Sequence, residues 1–339
     1  MLSLWYKSRV KSMTPDNTGT RFSVVIVNFN GGQMLTGCVK SAVAQGVPLE
    51  QMIVVDNGSS DDSIAALESG VAGVKVIRNR YNAGFASAVN LGLVQAKGEF
   101  ILILNNDAEL QPGALRAFAE AFDRIPSLAI AGAQLRFSDG SPQNAVAPIP
   151  TLIAEIIPRV FLQWMFPHQF GGKPKTDTPI PVESVVGACM VVRQSVLSQL
   201  GLMDEDFFFF LEETEWCQRA RKLGLQVYYV PSACAVHGQG RTANRFRSDS
   251  RIEFQRSKLI FFKKYRPMVD YLCVSAVLPI KSLFNAVANT VLCILTVCAI
   301  KSQRERTFGY WRIAAWNLLG RPTKWGLPGK ELREGIIGK

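Results

Sequence analysis

Between Phe22 and Asp107, apolar runs of strand length end four times on polar side chains. Phe22–Val27 stops at Asn28-Phe29-Asn30-Gly31-Gly32, and Met52–Val55 stops at Asp56-Asn57-Gly58-Ser59-Ser60-Asp61. Val74–Ile77 leads into Arg78-Asn79-Arg80-Tyr81-Asn82, and Glu99–Leu104 into Asn105-Asn106-Asp107. Helical patterns separate these runs. Leu35, Cys38, Val39, Ala42 and Val43 share one face, the loop 56–61 leads into a capped helix, and another helix runs from about Gly84 to Ala96. Pro112 opens a further helix, since its fixed φ suits a first turn. This alternation predicts a parallel, doubly wound α/β sheet. The unbroken apolarity of the run before Asn105 implies a strand buried on both faces.

That topology also places a ligand. In open α/β sheets ligands bind outside the carboxyl ends of the strands. Asn28, Asp56, Asn57, Arg78, Asn82 and Asn105 therefore converge on one crevice. Any one of them alone is an ordinary turn residue. Strand after strand ending this way points to a shared ligand. No G-x-G-x-x-G follows the first strand and no G-x-x-x-x-G-K-[ST] occurs, which removes dinucleotide dehydrogenases and P-loop nucleotidases. Amides and carboxylates suit hydrogen bonds to a nucleoside and a hard divalent cation beside a diphosphate. Asp107 is the natural oxygen ligand for Mg²⁺ or Mn²⁺.

Composition sets the outer bounds. A chain of 339 residues, 48% of them apolar, can bury one large core or two modest ones. Its seven cysteines lack any C-x-x-C pair, which reads as free thiols in a reducing cytoplasm. Residues 1–20 have too short an apolar core for a signal peptide and read as a tail. The net charge of +11 implies an anionic partner.

The ordered set VIVNFNGG, VVDNGSSDDS, NAGFASAVNLG, LNNDAEL, GACMVVR, FFFFLEETEWCQRAR and AVHG resembles family 2 glycosyltransferases. Within that family it is most similar to bacterial rhamnosyltransferase-type enzymes of surface polysaccharide synthesis, over about residues 22–265. The resemblance implies a GT-A fold, a nucleoside-diphosphate-sugar donor with dTDP-rhamnose as first guess, a divalent metal, and inversion at the anomeric carbon. It assigns Asp56 to the base, and Asn82 and Asn105 to the neighbourhood of nucleoside and donor sugar. Asp107 falls on the metal-binding carboxylate of the family's Asp-x-Asp motif. Here that motif is softened, because Asn105-Asn106-Asp107 offers a single carboxylate. His237 matches the family's late histidine, a metal ligand in several members; a structural histidine at a strand end is the other reading. His168, amid Trp164-Met165-Phe166-Pro167, reads as packing.

Catalysis is expected in the second half. Gly187-Ala188-Cys189-Met190 is small enough for backbone to approach donor or acceptor closely. Glu212, Glu213 and Glu215 open a helix, where acids complement the dipole. By resemblance, Glu213 falls where the family places its general base, usually an Asp. Glu212 is expected to orient the acceptor hydroxyl or to pair with an arginine.

From Arg241 to Arg266 there are nine Lys or Arg and two acids, interleaved with aromatic residues. A solvated helix face, a diphosphate clamp through Arg241 or Arg245, and an anionic membrane surface all fit this stretch. A nucleic-acid-binding reading gives the polar strand ends no role. Ser282–Ile300 is nearly long enough to span a bilayer but carries two Asn, and reads as a monotopic or dimer-forming helix. The expected layout is a tail (1–20), a GT-A domain (21–265), and a helical membrane-associated or oligomerising tail (266–339). The expected location is the cytoplasmic membrane face, with a lipid-linked glycan as acceptor.

Overall fold

The computed structural model describes residues 17–165, 176–238, 247–297 and 299–327. Its strands are β1 (Phe22–Asn28), β2 (Met52–Asp56), β3 (Lys75–Arg78), β4 (Phe100–Asn105), β5 (Ala108–Leu110), β6 (Leu128–Arg136), β7 (Val146–Ala147), β8 (Ile180–Pro181), β9 (Ser184–Val185), β10 (Cys189–Arg193) and β11 (Gln226–His237). Its helices are α1 (Met34–Val43), α2 (Ser63–Gly70), α3 (Phe85–Leu93), α4 (Ala114–Arg124), α5 (Leu152–Ile156), α6 (Arg159–Met165), α7 (Leu197–Leu200), α8 (Glu212–Lys222), α9 (Arg247–Tyr265), α10 (Met268–Leu295) and α11 (Lys301–Leu318).

Among the described residues, the main sheet runs β3-β2-β1-β4-β10-β6-β11-β5, with β8 paired to β11. β1 is parallel to β2 and β4, and β2 is parallel to β3. The first four strands thus have the predicted parallel order. Beyond β4 the pattern changes: β10 is antiparallel to both β4 and β6. β11 then runs parallel to β6 and antiparallel to β5.

Period-2 alternation explains the layers. Phe22, Val24 and Ile26 of β1 face one apolar cluster with α1, α2 and α4, while Val25 and Val27 face another with α3 and α8. β4 divides likewise, Phe100, Leu102 and Leu104 against Ile101 and Ile103. Each buried aliphatic side chain of this kind contributes roughly 1.5–3 kcal/mol by leaving water. A helix–sheet–helix sandwich results.

The C-terminal helices are docked onto this body rather than trailing from it. Phe261 and Phe262 of α9 share a buried cluster with Phe207, Val274 and Leu278 of α10, and Ile313 and Trp316 of α11. The stretch 282–300 is not one helix. α10 begins earlier and ends at Leu295, and the chain then turns back into α11. Polar groups of the apolar stretch satisfy one another across this hairpin: Asn317 Nδ2 donates to Ser282 Oγ at 2.9 Å, and Gln303 Nε2 to Asn289 O at 3.2 Å.

Candidate active site

Strand register brings the polar ends together. Asn28 pairs with Asp56, Asp56 with Arg78, and Val27 with Asn105. The six candidate residues nevertheless do different things there. Asn28 is fully buried, and both ends of its amide are engaged within the protein. Its Nδ2 donates to Ser63 Oγ at 2.8 Å and Asp56 Oδ1 at 3.3 Å, and its Oδ1 accepts from Asn106 Nδ2 at 2.9 Å. It lies beneath the crevice and positions Asp56 and Asn106. Asn57 is a tether as well: its Nδ2 donates to Asn82 Oδ1 at 2.8 Å, and its Oδ1 accepts from Ala83 N at 3.0 Å. That ties the loop before α3 to the end of β2. Arg78 is exposed and ion-paired to Glu68, on the outer edge of the sheet.

Asn105 and Glu213 meet through the small-residue segment. Asn105 N donates to Ala188 O at 2.9 Å. Next to it, a Cβ on Gly187 would lie only 3.5 Å from Glu213 Cβ, and the Glu213 carboxylate accepts a backbone hydrogen bond from Gly187. Gly187-Ala188 therefore bridges the end of β4 and the start of α8.

Glu212 and Glu213 each keep Oε2 buried with no hydrogen-bond partner in the protein. Burial pushes both carboxyls up from their ordinary range; for Glu212 the charge of Glu213 adds to this, and for Glu213 backbone hydrogen bonds oppose it. The arginine pairing considered for Glu212 belongs instead to Glu215. Arg219 holds Glu215 with Nε–Oε1 at 2.9 Å and Nη2–Oε2 at 2.8 Å, and Tyr265 OH adds a bond at 2.6 Å.

At the far end of the crevice, β11 pairs His237 with Ala108, which sets His237 beside Asp107. His237 Nε2 lies 3.4 Å from Asp107 Oδ1. Gln143, which the sequence did not reveal, orients the ring. Its Nε2 donates to the backbone oxygens of Arg136 and His237, leaving Oε1 to face His237 Nδ1 at 3.0 Å. An amide oxygen only accepts, so Nδ1 carries the proton and Nε2 offers a lone pair beside the Asp107 carboxylate. That is a fitting pair of ligands for a divalent cation, although no group of three or more His, Cys, Asp or Glu occurs among the described residues. His168, Arg241 and Arg245 lie outside the described residues.

A mostly parallel sheet with polar strand ends, an oriented Asp–His pair and a carboxylate across the crevice defines a GT-A glycosyltransferase architecture. The family model for glycosyl transferase family 2 matches residues 23–201, and the chain belongs to that family. The match ends before Glu213. The chain is 26% identical over 254 residues to an N-acetylglucosaminyl-diphospho-decaprenol L-rhamnosyltransferase of Mycobacterium tuberculosis, covering 70% of this chain and 82% of that protein. It is 27% identical over 256 residues to a low-salt glycan biosynthesis hexosyltransferase of Haloferax volcanii, covering 71% and 76%. Among solved structures, GalNAc-T7 with UDP, GalNAc and Mn²⁺ superimposes with a TM-score of 0.50 at 18% identity. That match covers 70% of this chain and 47% of the other.

Proposed function

We propose that this glycosyltransferase moves a sugar, rhamnose first, from a nucleoside-diphosphate donor to a hydroxyl of a lipid-linked glycan, with inversion. The observation that carries the reading is the placement of Glu213. Its unpartnered carboxylate oxygen and the Asp107–His237 pair are linked through Gly187-Ala188 and the end of β4. Glu213 takes the proton from the acceptor hydroxyl as that oxygen bonds to the anomeric carbon. The bond from that carbon to the diphosphate breaks, and the diphosphate leaves with the electron pair. One displacement inverts the centre and forms no glycosyl-enzyme. Asp56 receives the base, with Asn28 behind it, and Asn82 and Asn105 border nucleoside and sugar. A Mg²⁺ or Mn²⁺ held by Asp107 and His237 supplies charge neutralisation for the diphosphate. The named activity of the mycobacterial relative supports rhamnose and a prenyl-diphosphate acceptor.

The place of action is the cytoplasmic face of the membrane. One side of α10, carrying Val269, Leu272, Ile280, Phe284, Val287, Val291 and Leu295, is exposed and apolar. Phe308 and Trp311 of α11 are exposed too, and Trp311 Nε1 donates to Thr290 Oγ1 at 2.8 Å, which places that ring beside the α10 face. Lys301 and Arg304 follow at the hairpin's end. Apolar side chains with Trp and basic residues at their border suit an anionic bilayer surface better than a second copy of the same basic chain.

The test incubates purified protein with a panel of nucleotide sugars, Mn²⁺ or Mg²⁺, and N-acetylglucosaminyl-diphospho-farnesol. The expected product is a disaccharide with inverted anomeric configuration by NMR. Retained configuration, or no transfer from any donor, overturns the reading.

A further inference from the structure

The run Phe207-Phe208-Phe209-Phe210 splits in two. Phe207 and Phe208 are fully buried. Phe209 and Phe210 are only half-buried, and with Phe254 of α9 they stand outside the apolar clusters that form the core of the described residues. Their rings instead form a chain of edge contacts. Phe85 meets Phe209 at 6.2 Å, Phe209 meets Phe210 at 4.5 Å, and Phe210 meets Phe254 at 5.6 Å between centroids. The chain starts at the first residue of α3, directly after the loop held by Asn57. It passes the start of α8 and reaches α9, so it borders Glu213.

The backbone there is strained. Phe210 has φ +73° and Leu211 φ +67°, left-handed values that side chains other than Gly rarely adopt. Leu211 packs against the buried cluster of the C-terminal helices, which accounts for its side chain. Phe210 has no such return from packing. A Gly would relieve position 210, yet a large apolar ring stands there, half-open to the crevice. Strain kept at a site points to a use for the side chain that carries it.

The ledge also has a polar rim. Lys258 Nζ lies 4.9 Å over the Phe254 ring and 2.8 Å from Glu155 Oε2. Aromatic faces edged by hydrogen-bonding groups match a pyranose, which has an apolar C–H face and a rim of hydroxyls. Resting on the glycosyl-transfer reading above, we propose that Phe209, Phe210 and Phe254 form the acceptor-sugar subsite. The sugar ring lies on the aromatic ledge with its hydroxyl toward Glu213. A sugar, rather than the prenyl chain, occupies this part because the ring nearest the base must carry the attacking hydroxyl.

The test uses Phe210→Gly and Phe254→Leu in the full chain. The acceptors are N-acetylglucosaminyl diphosphates carrying a farnesyl or a shorter citronellyl chain. Phe210→Gly is expected to melt no lower than wild type, because strain is released. Its KM for both acceptors should rise about tenfold, by the same factor, while nucleotide affinity and acceptor-free donor hydrolysis stay unchanged. Phe254→Leu should raise KM in the same direction. An unchanged acceptor KM, a loss of stability accompanying the rise in KM, or a rise confined to the longer prenyl chain overturns the ledge while leaving glycosyl transfer standing. A wild-type protein that transfers no sugar overturns both.

Discussion

His237 Nε2 lies 3.4 Å from Asp107 Oδ1, although one residue closes β11 and the other follows β4. The geometry depends on Gln143, whose oxygen fixes the imidazole tautomer. Replacing such an outer partner typically lowers metal affinity about 10–100-fold. Gln143→Leu should therefore weaken Mn²⁺ binding by that order while leaving nucleotide binding without metal intact. Thermal shift against Mn²⁺ titration reads it, and His237→Ala should lose the Mn²⁺ response more completely. An undiminished Mn²⁺ response in both variants would place the cation elsewhere.

Glu212 makes a second, sign-specific case. Burial raises its carboxyl above the ordinary value of 4.5, so the folded state binds its proton more tightly than the unfolded state does. Stability from this group is then complete below about 4.5 and is lost as pH rises through the raised value. Glu212→Gln should accordingly stabilise the protein at pH 7–8, on the order of 1 kcal/mol, with the gain vanishing near pH 4. Removing the neighbouring charge should also move the acid limb of the rate profile, which belongs to the Glu212–Glu213 pair, to lower pH. Melting curves and pH–rate profiles of the variant check both. A gain independent of pH would contradict the assignment.

Asn28 should matter without touching substrate. Asn28→Ala leaves buried partners unsatisfied and frees Asp56 to move, a change worth about 1–3 kcal/mol. The expected result is weaker nucleotide binding by isothermal titration, at nearly unchanged kcat with saturating donor. A loss of kcat alone would mean that Asn28 serves the chemistry directly.

The exposed face of α10 gives the membrane reading its test. Phe284 and Leu295 are 71% and 74% exposed, so Phe284→Glu with Leu295→Glu should fold normally yet fail to sediment with phosphatidylglycerol vesicles. Cutting the chain after residue 266 is a poorer experiment, because it uncovers Phe261 and Phe262 and should yield aggregated protein. A double variant that still sediments would put the contact elsewhere. If instead it changes from dimer to monomer in solution, the face joins two copies.

The donor half was readable because a doubly wound sheet announces itself locally. Each strand is an unbroken apolar run, each ends on polar residues, and the register places those ends side by side without long-range information. The later strands gave no such signal. Cys189–Arg193 reads equally well as parallel or antiparallel, since its direction is set by β4 and β6, distant in sequence. Gln143 was invisible for a similar reason: it is an isolated amide, and its partner His237 lies 94 residues away. Nor could the four phenylalanines be sorted, because two left-handed residues turn the chain between core and crevice. Asn28 and Asn57 were located correctly at strand ends, but their inward direction depends on Ser63, Asn82 and Asn106.

Glu213→Gln tests the central claim most directly. The change keeps shape and removes basicity, and a positioned base typically contributes about 10²–10⁴-fold. Transfer to N-acetylglucosaminyl-diphospho-farnesol should fall by that factor while donor affinity, measured in parallel by titration, stays at the wild-type value. Glu215→Gln, whose carboxylate already serves Arg219 and Tyr265, should affect stability more than rate. Wild-type turnover in Glu213→Gln, or a loss of donor affinity in proportion to the loss of rate, would contradict the assignment of the base.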